Sequence, residues 1–91
     1  MKWVKIRDIY PDRWVLVEAL AAHSNNHIRT IEEMSVVSEY DNPKHAWASY
    51  KKLHLSEPTR ELYVFYTGNE FIEVIEQPFT GIRGLQRKSI L

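Results

Sequence analysis

The chain has 91 residues, of which 44% are hydrophobic and 12% aromatic; its 12 basic and 12 acidic side chains cancel to zero net charge, and it has no cysteine. Its length leaves no room for a second domain, the lack of cysteine excludes a disulfide scaffold, a thiol nucleophile and any cysteine-ligated zinc or iron–sulfur site, and the balanced charge excludes disorder driven by self-repulsion. A domain this small buries only a modest core, which leaves self-association open from the outset.

The stretch from Lys2 to Arg7 reads as a short edge strand lying ahead of the first main strand. That main strand runs from Trp14 to Leu20, entered through the Pro11-Asp12 turn signal, with Trp14 and Leu16 on one face and Val15 and Val17 on the other. The polar run His23-Ser24-Asn25-Asn26-His27 predicts a wide loop rather than a tight two-residue turn. A long second strand follows from Ile28 to Tyr40. Its alternation is imperfect, and Ile31, Met34 and Val37 also recur at helical spacing, but the β-branched and serine-rich run Ser35-Val36-Val37-Ser38 favours the strand.

Asp41-Asn42-Pro43 marks a helix start, a capping side chain followed by a proline suited to the first turn. Ala46, Trp47, Tyr50 and Leu53 form its apolar stripe, with Trp47 expected to be the core anchor, and the helix should end near Ser56-Glu57-Pro58. Glu61 to Thr67 is the next strong strand, aromatic on both faces and closed by Gly68-Asn69; Phe71 to Glu76 is expected to pair with it as a hairpin. Pro78 stops that strand. The expected fold is α+β, a single helix packed on a mostly antiparallel sheet of three to five strands in ββαββ order, with residues 1–78 as the domain and 79–91 as a basic irregular tail.

Charge is unevenly spread. Residues 1–13 hold four basic and two acidic side chains, residues 14–78 five basic and ten acidic, and the remainder only Arg83, Arg87 and Lys88, which makes an acidic body with basic ends. The longest apolar run, Leu62 to Tyr66, is too short to cross a bilayer, and Met1-Lys2-Trp3-Val4-Lys5 does not resemble a signal peptide, so a cytoplasmic protein is the expectation.

Candidate sites are few. His23 and His27 have a metal-ligand spacing, with Glu18, Glu32 or Glu33 as the third ligand that a hairpin could bring near, but they lie in a polar segment, and the solvated-loop reading is preferred; His45 and His54 are half a turn out of phase on their helix. Glu32 and Glu33 point to opposite faces of a strand and cannot act as an acid/base couple, and three glycines at 68, 81 and 84 make no phosphate loop. No catalytic residue, cofactor or metal is assigned, and an enzyme is not expected. Tyr63, Phe65 and Tyr66 resemble a base-stacking strand, yet Glu61 and Glu70 flank them, which favours core packing.

The segments Lys5 to Ala19, with Tyr10-Pro11-Asp12-Arg13-Trp14 at their centre, Arg60 to Thr67 and Gly81 to Gly84 resemble a family of short uncharacterised bacterial proteins. That family is a domain of unknown function in which two strands precede a helix and a third strand follows. The resemblance implies a small cytoplasmic bacterial protein and carries over no site residue. The resulting expectation is a small protein-interaction module that self-associates or docks a protein partner through a sheet edge or through Arg83, Arg87 and Lys88. The alternatives are a nucleic-acid-binding, antitoxin-like regulator and, behind it, a metal-dependent enzyme built on His23 and His27.

Overall fold

A computed structural model describes residues 1–76. Its frame is a long antiparallel hairpin of β1 (Trp14–Asn25) and β2 (Ile28–Tyr40). A shorter strand, β3 (Leu62–Tyr66), pairs antiparallel with the other side of β1, and the two-residue β4 (Val74–Ile75) pairs with the start of β2, giving the order β3-β1-β2-β4. Two helices complete the order, α1 (Trp3–Ile9) before the sheet and α2 (Pro43–Ser56) between β2 and β3. The class is α+β. The expected single helix is corrected to two, so the ββαββ order is preceded by a further helix.

The hairpin turn is tight. Asn26 and His27 both have positive φ, at 54° and 66°, and Asn25 pairs directly with Ile28, as a two-residue turn matched to strand twist requires. The wide loop expected over His23 to His27 is therefore corrected. Ala22 to Asn25 have little β preference of their own, but Ile28 to Ile31 pair with them and hold them extended.

Three register shifts interrupt the β1–β2 ladder, and the two whose extra residue lies in β2 explain why that strand alternates poorly in sequence. The three fall between Leu16 and Val17, between Ala19 and Ala21, and between Ala21 and Ala22, leaving Val37, Leu20 and Glu32 without a direct cross-strand partner. Each extra residue resets the parity of the strand. Ile31, Met34 and Val36 thereby all reach one face although their spacing fits no single period, while Leu20 and Val37 are turned out to solvent.

Each face of the sheet has its own core. On one, Val15, Val17, Met34, Tyr63, Phe65 and Val74 close around Ile6 of α1, with Trp3 and Tyr10 beside it. On the other, Leu16, Leu62 and Val64 pack on Ala46 of α2, with Trp14, Tyr40, Tyr50 and Leu53 around them. The opposition of Trp14 and Leu16 to Val15 and Val17 is thus what separates the two clusters. A strand flanked by strands on both sides and covered on both faces must be apolar throughout, which describes Val15 to Val17.

The edge strand expected over Lys2 to Arg7 is corrected to α1. Val4 and Ile6 give the segment a look of two-residue alternation, but the buried contacts come from Trp3, Ile6 and Tyr10, spaced for a helix. Ile6 has no exposure at all, whereas Val4 is largely solvated. Met1 secures the approach: its ammonium donates to the Met34 carbonyl at 2.6 Å, and the Met34 amide donates back to the Met1 carbonyl at 2.9 Å.

Two further expectations are corrected. The segment after β3 does not fold back on β3; it crosses the α1 side, where Ile72 packs on the first cluster, and reaches β2 instead. Trp47 is not a core anchor. Ala46, Tyr50 and Leu53 form the buried seam of α2, and Trp47, about 100° around the helix from Ala46, is 38% exposed and packs edge-on against Tyr50. The start of α2 is as expected, with the Asn42 side chain accepting from the His45 amide at 2.9 Å. The expected domain boundary at Pro78 and the tail beyond it lie outside the described residues.

Thr67, a buried polar residue, ties the ends together. Its hydroxyl accepts from the Arg13 amide at 2.8 Å and donates to the Tyr10 carbonyl, and its own carbonyl accepts from Arg7 Nε at 2.9 Å. The Tyr10-to-Arg13 turn, with Asp12 at φ 53°, is pinned to the end of β3 by this hydroxyl and by the Thr67 amide, which donates to the Arg13 carbonyl at 2.8 Å. Beside it, a Cβ on Gly68 would strike the Tyr66 ring, which itself packs on Trp14 at 5.1 Å.

Two stability outcomes follow from these contacts. Ile6→Ala is expected to cost about 2–5 kcal/mol in chemical denaturation, as buried large-to-small changes do, whereas Trp47→Ala should cost less than about 1 kcal/mol because its site is open. Thr67→Val removes one hydroxyl and strands both the Arg13 amide and the Tyr10 carbonyl; a loss of about 1–3 kcal/mol is expected by the same measurement.

Candidate functional site

Charged residues close the hairpin end of each core. On the α1 side, Arg29 reaches across β1 and makes a forked pair with Glu61, Nε to Oε2 at 2.8 Å and Nη2 to Oε1 at 2.9 Å. The Tyr63 hydroxyl also donates to Glu61. On the α2 side, Arg60 binds Glu18 at 2.7 Å and reaches Glu57 at 3.3 Å. Arg29 thus fastens β2, and Arg60 fastens β1, to the segment that leads into β3.

Their chemistry is that of fixed pairs. Burial, reinforced by the Glu61 carboxylate, pushes the Tyr63 hydroxyl well above the ordinary tyrosine range. The bond to Glu61 holds the Arg29 guanidinium still more firmly protonated than usual, and the bond to Glu18 does the same for Arg60. A neutral tyrosine on a carboxylate clamped by a guanidinium supplies neither a nucleophile nor a proton near neutral pH.

The residues singled out from sequence are placed apart. His23 lies on β1, its Nδ1 3.1 Å from Glu32, while His27 sits in the turn with its carbonyl accepting from the Glu76 amide at 2.7 Å. Among the described residues no group of three or more His, Asp or Glu side chains converges to hold a metal ion. Glu33 has partners of its own, the Met1 ammonium at 3.1 Å and Lys2 at 3.2 Å, and these hold its carboxyl below the ordinary glutamate range. Tyr63 and Phe65 are buried and stacked on each other, so neither is presented as a platform for bases. Arg83, Arg87 and Lys88 lie outside the described residues. No helix among those residues is long and apolar enough to cross a membrane.

One cleft, of about 370 Å³, runs between Ile28 to Ile31 and Phe71 to Val74. Its charged lining is Arg29, already engaged with Glu61, and Glu73. Glu73 makes no ion pair among the described residues.

The outer face of α2 is the surface that the core does not use. Residues 43–56 include Lys44, Lys51 and Lys52, with His45 and His54, and no acidic residue. All five are exposed. Among the described residues the three lysines make no ion pair closer than 4 Å. Trp47 and Leu55, the latter 80% exposed, lie on the same side as Lys44 and Lys51, and the Tyr50 and His54 rings stack at 5.6 Å along one flank. The signal was present in sequence, since the phase of Ala46, Tyr50 and Leu53 leaves Trp47 outside; averaging the helix with its acidic neighbours hid the lysine row.

No family model matches the chain, and no curated protein or solved structure matches it.

Because the folded state raises the Tyr63 pKa, the unfolded chain ionises first as pH rises. The stabilisation is complete below the ordinary tyrosine value of about 10 and is lost as pH climbs through the folded-state value. Tyr63→Phe should therefore show a smaller fall in stability above about pH 10 than the parent protein, read from denaturation midpoints across an alkaline series. Equal slopes for the two proteins would contradict the placement of this hydroxyl.

Proposed function

We propose that this chain is a small protein-interaction module without catalytic chemistry, and that it docks a protein partner on the outer face of α2. The observation that carries the reading is the combination of an exposed Trp47 and Leu55 with Lys44, Lys51 and Lys52 on a helix free of acids. Tryptophan in the middle of a binding surface commonly carries a large share of the affinity, and a lysine rim steers an oppositely charged partner. The partner this face fits is an acidic protein segment that presents an apolar side chain. The docking surface thereby moves from the sheet edge and tail, where sequence reasoning put it, to the helix.

The same lysine row supports a second reading, a nucleic-acid-binding regulator of the antitoxin-like kind, because lysines beside an exposed indole suit phosphates and an unstacked base. Burial removes Tyr63 and Phe65 from that reading as stacking platforms, and the exposed Trp47 stands beside the lysines in their place. The metal-dependent reading has no comparable support, His23 and His27 being engaged separately.

Titration of isotope-labelled protein separates the first two. An acidic peptide of unrelated sequence, with one phenylalanine between glutamates, should perturb the Trp47 indole and the amides of α2, and Trp47→Ala should weaken it at least about tenfold, as loss of a hot-spot side chain does. Perturbation by a single-stranded oligonucleotide with steep salt dependence, and none by the peptide, would transfer the proposal to nucleic acid. No response to either would overturn it.

A further inference from the structure

Resting on that docking face, we propose that its occupant is a second copy of this chain, which inserts Phe71 between the lysines of α2. Phe71 is 80% exposed, as bare as Leu55. It is flanked by Glu70 and Glu73, both exposed and without an ion pair among the described residues. Most other glutamates of the described chain are spoken for: Glu18 by Arg60, Glu33 by Lys2, Glu39 by Arg13, Glu57 by Arg60 and Glu61 by Arg29. An apolar ring between two free carboxylates is the chemical complement of an indole and a leucine among three free ammonium groups.

The fold sets the symmetry of the contact. Ile72 packs on the cluster around Ile6, which puts the Glu70-to-Glu73 segment on the α1 side of the sheet, whereas α2 covers the opposite side. One chain cannot satisfy its own complement. Two chains can, by stacking the front of one on the back of the next, and each pair then still offers one free Phe71 and one free α2 face. Such a heterologous contact propagates into rings or open chains and does not close as a twofold dimer. The backbone on both sides is held, Trp3 Nε1 donating to the Asn69 carbonyl at 3.1 Å before Phe71 and β4 pairing with β2 after it, so little ordering is needed on contact.

Sedimentation velocity of the full chain at low salt tests this. The expected result is a mean mass that rises with concentration past that of a dimer, and that falls back as salt is added, because exposed charges are screened over about 10 Å at 0.1 M. Phe71→Ala should weaken association at least tenfold. So should Lys51→Glu with Lys52→Glu, and separately Glu70→Lys with Glu73→Lys, all at solvent-exposed positions whose folding is checked by circular dichroism. Mixing the two charge-reversed proteins should restore assembly in equal proportion, since acidic meets basic at every contact. A monomer up to about 1 mM, a mass that stops at the dimer, or association indifferent to Phe71→Ala would each overturn the inference. If the chain is monomeric while the unrelated acidic peptide still perturbs Trp47, self-association fails and the docking face stands; if the peptide also fails, both fall.

Discussion

Everything in this fold depends on β1 being buried on both faces. Val15 and Val17 are fully covered on one side and Leu16 on the other, with a neighbouring strand at each flank. A four-stranded sheet cannot achieve this alone. One helix leaves half of the central strand in water, and burying an aliphatic side chain is worth about 1.5–3 kcal/mol, a large fraction of the stability of a small domain. The seven residues of α1 are therefore as necessary to the fold as the fourteen of α2. A helix that short is marginal by itself and forms because Ile6 has a cavity to fill.

The polar contacts extend the same logic. Where each core runs out, an arginine–carboxylate pair closes it: Arg29 with Glu61 on one side, Arg60 with Glu18 on the other. At the opposite end Thr67 joins α1, the turn before β1 and the end of β3 through both its hydroxyl and its backbone. These groups look like candidates for chemistry when read as isolated residue types. In place, each has its partner, and their arrangement serves the sheet. Among the described residues, the lysines, tryptophan and leucine of α2 and the glutamates around Phe71 stay uncommitted at the periphery.

Much of the fold was legible in sequence where a single local signal sufficed. Asn42-Pro43 marked the start of α2, Pro58 its end, and the aromatic run Leu62 to Tyr66 a strand buried on both sides. The signals failed where tertiary structure overrode them. Two bulges broke the two-residue period of β2, a left-handed Asn26-His27 pair turned a polar run into a tight hairpin, and Val4 with Ile6 mimicked alternation inside a helix. The pairing of β4 with β2 rather than β3 depends on where Ile72 packs, which no local pattern encodes. For the outer face of α2 the sequence reading was blurred by averaging. Trp47 was assigned by its neighbours on the apolar stripe rather than by its own angle on the helix, and the basic charge of α2 was lost in the acidic total of residues 14–78.

The covering of β1 from both sides is tested most directly by native-state amide hydrogen exchange. The account predicts that the amides of Val15 and Val17 and those of Tyr63 and Phe65 exchange only with global unfolding, and that the Tyr10 amide, bonded to the Ile6 carbonyl at 2.9 Å, is protected to a comparable degree. Slow exchange in the strands together with open-chain exchange at Tyr10 would mean that α1 does not close its face of the sheet, and would contradict the account.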